Sequence, residues 1–271
     1  MQLEGKRILI TGAGSGIGRA LALEAAARGA RLALTGRRRE ALEETASQLT
    51  AAETLVIASD VCAAAGREGL RQALSERWGG LDVLVNCAGS VGVGALARCS
   101  DADLERMLQT NLLAPMALSR ELLPLLQRSV PARIVNIGSV FGDIGYPLFA
   151  AYSASKFGLR GFSMALRREL ASSGIGVTYA APRATQTAAA SAFAELVAPL
   201  GMRLDPPQRV ASLVWDAVAR DADSVYPRGA ERLFVLVQRL LPGLVDRAIA
   251  RQLRDPRVRP LTALPPLRGP R

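Results

Sequence analysis

Short apolar, β-branched runs alternate along the chain with longer stretches whose apolar positions recur every three or four residues. The runs "RILIT" (7–11), "RLALT" (31–35), "TLVIA" (54–58), "LDVLVN" (81–86), "RIVNIG" (133–138) and "GVTYAA" (176–181) show little polar alternation, as strands buried on both faces do. Between them, "GRALALEAAARG", "REALEETASQL" and "AGREGLRQALSERWG" read as helices. Repeated β-α units of this size predict a doubly wound α/β domain, a parallel sheet of about seven strands with right-handed crossovers and helices on both faces. Ligands of such a sheet bind in the crevice at the carboxyl ends of its strands.

Length and composition set the outline. With 271 residues, 49% of them hydrophobic, the chain can bury one large core. We expect a Rossmann-type domain over 1–228, with a substrate loop at about 184–206. A helical extension over 229–254 and a Pro/Arg-rich, flexible tail over 255–271 should follow. No early segment has the pattern of a signal peptide and no run approaches the roughly 20 apolar residues of a membrane span, so the expected location is cytoplasmic. Three cysteines, Cys62, Cys87 and Cys99, lack C-x-x-C spacing and read as buried thiols.

Charge and histidine content narrow the chemistry. The net charge of +10 is concentrated at the end, where residues 251–271 hold six arginines against one aspartate, so a nucleic-acid partner is not expected. The absence of histidine removes the usual general base of Ser-His-Asp hydrolases and the usual ligand of catalytic zinc. Any proton transfer needs another group.

Candidate groups stand where the crevice should be. The first strand runs into "TGAGSGIGRALALEAAARGA", in which Gly12, Gly16 and Gly18 bracket a turn that opens a helix. Missing Cβ atoms admit a pyrophosphate to the backbone, and the free N–H groups and helix dipole favour the anion. After the second strand, "LTGRRRE" offers no carboxylate for a ribose 2′-hydroxyl; Arg37, with Arg38 beside it, suits a 2′-phosphate, which favours NADP(H) over NAD(H). An arginine-rich chain also places arginine in many loops.

Tyr152 and Lys156 in "AAYSASKFGL" are four residues apart on a predicted helix and share one face. A cation about 4 Å from the phenol, in an effective dielectric near 20, is worth roughly 4 kcal/mol, or about three pKa units. That would bring Tyr152 near the range where general acid-base catalysis works best. Lys156 is one of only two lysines in the chain, so a compact ammonium rather than a planar guanidinium is kept here.

With these residues in view, the chain resembles the short-chain dehydrogenase/reductase family from about residue 5 to 190. "TGAGSGIG" matches its cofactor turn, which implies that Gly12, Ser15, Gly16, Ile17 and Gly18 face the dinucleotide. The resemblance sets Asp60 and Val61 of "SDV" at the adenine, and "NCAG" corresponds to the N-N-A-G element through Asn86, Ala88 and Gly89. Asn111 of "NLLAPM", Ser139 of "NIGSVFG", Tyr152 and Lys156 correspond to the catalytic set. The implied mechanism needs no metal. Tyr152 exchanges a proton with the substrate oxygen as hydride moves at the nicotinamide, and Ser139 donates to that oxygen. Lys156 binds the nicotinamide ribose and lowers the tyrosine pKa, while Asn111 holds a water beside the lysine. The implied assembly is a homodimer or homotetramer through helices near 101–128 and 152–172.

Two departures stand out. "APRATQT" keeps Pro182 and Thr187 in register for the nicotinamide but has Arg183 where the family usually has glycine, which predicts strain or a remodelled loop if that residue needs positive φ. Cys87 replaces an asparagine and should pack as a small apolar group.

Residues 141–149 and 187–204, both largely apolar, should border the pocket and point to a hydrophobic ketone or alcohol. The extension 231–253 has apolar residues at helical spacing, a break at Pro242-Gly243 and flanking arginines, which suits core packing, a subunit contact or weak attachment to an anionic membrane. Three functions remain open: an NADP(H)-dependent carbonyl reductase or alcohol dehydrogenase, a 3-oxoacyl-[acyl-carrier-protein] reductase, and a non-catalytic NADP(H)-binding or scaffold protein, the last if Arg183 blocks the nicotinamide site.

Overall fold

Ile8 and Ile10 of the first strand are buried in one apolar cluster, and Leu9 between them in another. Successive side chains of a strand face opposite ways, so both faces of its sheet must be covered. The computed structural model describes residues 1–49 and 53–262, apart from the side chain of Leu261. Seven parallel strands, β1 (Arg7–Thr11), β2 (Arg31–Gly36), β3 (Thr54–Ala58), β4 (Val83–Asn86), β5 (Ala132–Ile137), β6 (Ile175–Ala180) and β7 (Ser224–Val225), stand in the order β3-β2-β1-β4-β5-β6-β7. The helices are α1 (Gly16–Ala27), α2 (Arg39–Ala46), α3 (Ala64–Trp78), α4 (Asp101–Leu108), α5 (Ala114–Gln127), α6 (Ala150–Glu169), α7 (Ala194–Val197), α8 (Pro207–Ala219), α9 (Glu231–Leu240), α10 (Pro242–Gln252) and α11 (Arg259–Thr262).

Leu21 of α1 and Val214 and Trp215 of α8 seal one face of the sheet. Leu70 and Leu74 of α3, with Leu118 and Leu122 of α5, seal the other. β1 pairs with β2 on one edge and with β4 on the other, so the winding reverses there and opens a crevice above their carboxyl ends. β4 starts two residues later than the run 81–86, and Asp82 just before it accepts through its carboxylate from the Arg7 backbone N–H at 3.0 Å and its Nε at 2.7 Å.

The substrate-loop region is closed at its base by a bridge between Thr185 and Asp205, with Gln186 N–H and Asp205 N–H each donating across it at 2.9 Å. The extension breaks at Pro242, which opens α10. The segment expected to run on as a tail from 255 instead packs at its start: Val258 is fully buried with Leu148, Phe149, Leu196 and Leu200, and α11 follows. Residues 263–271 of that expected tail lie outside the described residues.

Candidate active site

The turn after β1 is built from close approaches that only glycine permits. A Cβ on Gly18 would lie 2.2 Å from the Gly12 carbonyl oxygen, and one on Gly12 2.9 Å from Ala88 Cα. Gly12 and Gly16 also hold positive φ, +68° and +55°. Ser15 precedes α1 in extended backbone without capping it through its side chain, so the first-turn N–H groups stay open to an anion. Thr11 fixes the opposite wall: its Oγ1 accepts from Cys87 N–H and Ala88 N–H, both at 2.9 Å, and donates to the Val85 carbonyl.

These walls belong to a cleft of about 780 Å³ over the strand ends. Of the residues expected to hold a dinucleotide or carry its chemistry, all but Asn86 and Asn111 line it. Arg37, just past β2, is exposed there and takes part in no ion pair among the described residues. Asp60 also lines the cleft, and its carboxylate accepts from Cys62 N–H at 2.9 Å. Beside it the buried Arg67 donates to the Val61 and Cys62 carbonyls, each at 3.1 Å, and pairs with Glu121, pinning the loop.

The two asparagines act from behind. Asn86 is turned into the core, where its amide donates to Asn136 Oδ1 on β5 at 2.8 Å and to Ser119 Oγ on α5 at 3.2 Å, so its side chain braces β4 from behind the cleft. Asn111 sits in a π-helical turn, Gln109–Leu113, between α4 and α5. Its Oδ1 accepts from Ser90 N–H at 2.8 Å, and its Nδ2 donates to the Ser90 carbonyl at 2.8 Å and to Ser155 Oγ at 3.0 Å. These bonds tie the side chain to Ser90 and to Ser155 of α6. Such a turn departs from the i→i−4 ladder; it is rare in helices and frequently marks a functional site.

Ser139, Tyr152 and Lys156 meet at the floor of the cleft. Ser139 follows β5, and its backbone is bracketed by the Tyr179 hydroxyl, which accepts from Ser139 N–H at 3.3 Å and donates to the Ser139 carbonyl at 3.1 Å. Sequence reasoning missed this brace, because Tyr179 lies forty residues away on the neighbouring strand. Tyr152 and Lys156 occupy the first two turns of α6, with Lys156 Nζ 5.8 Å from the centre of the Tyr152 ring and donating to the Ile137 carbonyl at 2.9 Å.

Burial dominates the electrostatics. It pushes the Lys156 ammonium down to about 8 and the Tyr152 phenol above its ordinary 10, the Ser139 hydroxyl acting the other way on the phenol. The expected lowering of Tyr152 by the lysine is thus corrected: the ammonium is itself desolvated and engaged by a backbone carbonyl. Burial also pushes the Cys87 thiol up to about 12, consistent with a packing role.

Arg183 departs from the expectation most instructively. It is absent from the positive-φ residues and carries no left-handed strain. Its side chain is buried, with Nε donating to Asp205 at 2.8 Å and Nη1 pairing with Glu231, so the guanidinium ties the base of the substrate loop to the start of α9. Pro182 accepts from Val140 N–H at 3.1 Å, and Thr187 approaches the glycine turn closely enough that a Gly16 Cβ would meet its Cγ2 at 3.0 Å. The substrate end is apolar: Phe141 stacks on Tyr146 at 5.2 Å and packs against Phe149, which meets Phe193 edge-on at 5.8 Å.

Comparison with known proteins agrees with this geometry. The family model for short chain dehydrogenases matches residues 6–196. "Ketoacyl reductase HetN" of Nostoc sp. is 31% identical over 253 residues, covering 90% of this chain and 88% of that protein. "3-oxoacyl-[acyl-carrier-protein] reductase FabG" of Escherichia coli is 37% identical over 188 residues, covering 69% and 76%. The crystal structure of a short chain dehydrogenase/reductase from Burkholderia phymatum in complex with NAD superposes with a TM-score of 0.81 at 27% identity, covering 90% of this chain and 96% of that one. The chain therefore belongs to the short-chain dehydrogenase/reductase family of nicotinamide-dependent oxidoreductases.

Proposed function

We propose that the protein is an NADP(H)-preferring oxidoreductase that interconverts a ketone or aldehyde and an alcohol on a hydrophobic small molecule. The observation that carries this reading is the convergence of Ser139, Tyr152 and Lys156 at the inner end of the cleft. The glycine turn at the other end leads into a helix whose first turn has no side-chain cap, which fits a pyrophosphate. A bound nicotinamide supplies the hydride.

The protein's own residues supply everything else. Tyr152, kept protonated by burial, donates its proton to the carbonyl oxygen in reduction and takes one back in oxidation. Ser139 donates to the same oxygen, its backbone held by Tyr179. Lys156, charged below about 8, stabilises the phenolate that reduction leaves behind. Asn111 positions Ser90 and Ser155, and Ser155 Oγ in turn donates to the Tyr152 carbonyl at 2.7 Å. Arg37 supports the NADP(H) preference as an uncommitted guanidinium at the adenosine end. The aromatic wall of Phe141, Phe149 and Phe193 supports an apolar substrate.

Similarity to the FabG and HetN proteins favours a second reading, a 3-oxoacyl reductase acting on carrier-linked substrates. The scaffold reading loses its premise, since Arg183 is drawn to Asp205 and Glu231. A panel of free ketones, aldehydes, alcohols and carrier-linked 3-oxoacyl substrates, followed at the nicotinamide band with both cofactors, tests the proposal. Turnover of free apolar ketones with NADPH supports it. Activity confined to carrier-linked substrates selects the second reading, and turnover of none of them contradicts both.

A further inference from the structure

Helix α9 is attached to the body by its polar side. Glu231, Val235 and Arg239 recur every four residues and share one face: Glu231 pairs with Arg183, Val235 is buried, and Arg239 Nη2 lies 2.9 Å from the buried carboxylate of Asp143. The opposite face is apolar and points away from the protein. Leu233, Leu236 and Leu240 are 60%, 51% and 69% exposed, and Phe234, Leu241 and, across the break, Leu244 widen the stripe.

In water a surface helix is normally oriented the other way, apolar stripe inward, and large exposed apolar side chains are normally scattered. Arg232 of α9, Arg247 and Arg251 of α10, and Arg254 just after it are exposed and enter no ion pair among the described residues. Phe234 also lines the cleft, together with Ala230 and Glu231, so the apolar face continues into the mouth of the site.

We propose that α9 and α10 seat the mouth of the cleft on an anionic lipid surface, from which an apolar substrate enters directly. Leucines and a phenylalanine flanked by unpaired arginines match a bilayer interface in both polarity and charge. The attachment lies on the surface, since no helix among the described residues is long and apolar enough to cross a membrane. A second copy fits less well: a symmetric contact would set the unpaired arginines against themselves in a chain of net charge +10. An acidic soluble protein would satisfy the arginines and leave the leucine stripe unused. Anchoring stands independently of the enzymatic reading, whereas entry of substrate from the lipid rests on it.

Flotation with vesicles of phosphatidylcholine, with and without phosphatidylglycerol, tests the anchor. Leu233→Glu combined with Leu236→Glu and Leu240→Glu alters only outward-facing residues, and an unchanged melting curve verifies its fold. The wild type should float with the anionic vesicles, less with neutral ones and less in high salt, and the triple variant should remain at the bottom. A wild type that never floats, or a variant that floats equally well, overturns the anchor. Light scattering that shows self-association lost in the variant without flotation assigns the face to a second copy, and capture of an acidic acyl carrier protein without flotation assigns it to a soluble partner; either overturns the proposal. If flotation holds, anionic vesicles should raise turnover of a lipid-dissolved ketone severalfold and leave a water-soluble ketone unaffected. Equal effects on both would overturn lipid-side entry alone, and no turnover of either would count against the enzymatic reading while the anchor stands.

Discussion

Lys156 is one of two lysines among the chain's 34 Lys and Arg residues, and its surroundings explain the choice. It is buried and its ammonium donates to the Ile137 carbonyl at 2.9 Å, a single directed contact that suits a compact ammonium better than a planar guanidinium. Burial sets its proton affinity as well. With a folded pKa near 8 against an ordinary 10.5, the ammonium is present below about 8 and lost above it. The pH profile of kcat/KM for carbonyl reduction should therefore be level up to about 8 and fall beyond, as the phenolate left on Tyr152 loses its partner. A profile that keeps rising beyond 8 would contradict this. The same shift makes stability rise with pH between about 8 and 10.5, where the unfolded chain holds a proton that the folded one has released. At the other end of the cleft, Arg37→Asp should weaken NADPH roughly tenfold to a hundredfold, the worth of one charge-assisted hydrogen bond, and leave NADH nearly unchanged. Titration of both cofactors by fluorescence checks it, and an unaltered preference would show that another group reads the phosphate.

Among the elements, the substrate loop and α9 are coupled through one buried guanidinium. Arg183→Ala would remove the close partner of Glu231 and leave the buried Asp205 only the longer contact to Arg209 at 3.9 Å, and breaking a buried pair on one side costs roughly 3 kcal/mol or more. Thermal melting should show a clear fall, and hydrogen exchange should rise first in the loop at 184–206 and in α9. An unchanged melt would mean that the clamp contributes little. Nothing local in "APRATQT" announces this clamp, because its partners lie 22 and 48 residues away. The same limit hid Tyr179 behind Ser139 and the inward turn of Asn86, both decided by which strands lie side by side. What the sequence does disclose is local: the glycine turn, set by steric limits on consecutive residues, and the Tyr152–Lys156 pair, set by the pitch of one helix. The strands were legible too, since burial on both faces leaves continuous apolar runs. The direction of the Tyr152 shift was not, because desolvation depends on what covers the phenol.

At the scale of the whole molecule, large exposed apolar side chains gather in two places among the described residues. One is the outward stripe of α9. The other includes Leu113 of the π-helical turn, Met116 of α5, and Phe157 and Met164 of α6, the last two a heptad apart on one helix face. This second face suits the homodimer or homotetramer expected of the family, so Phe157→Arg with Met164→Arg should reduce the mass seen by light scattering to that of a monomer; an unchanged mass would place the interface elsewhere. The cleft reaches the start of α9, where Ala230, Glu231 and Phe234 line it. The proposed reaction turns on a proton held on Tyr152 beside a bound nicotinamide. The most direct test is single-turnover reduction of an apolar ketone by wild type and Tyr152→Phe, each saturated with NADPH. Tyr152→Phe should lose hydride transfer by about three orders of magnitude or more, with NADPH affinity within a few-fold of wild type; turnover that survives the loss of the phenol would contradict the assignment of Tyr152 as proton donor.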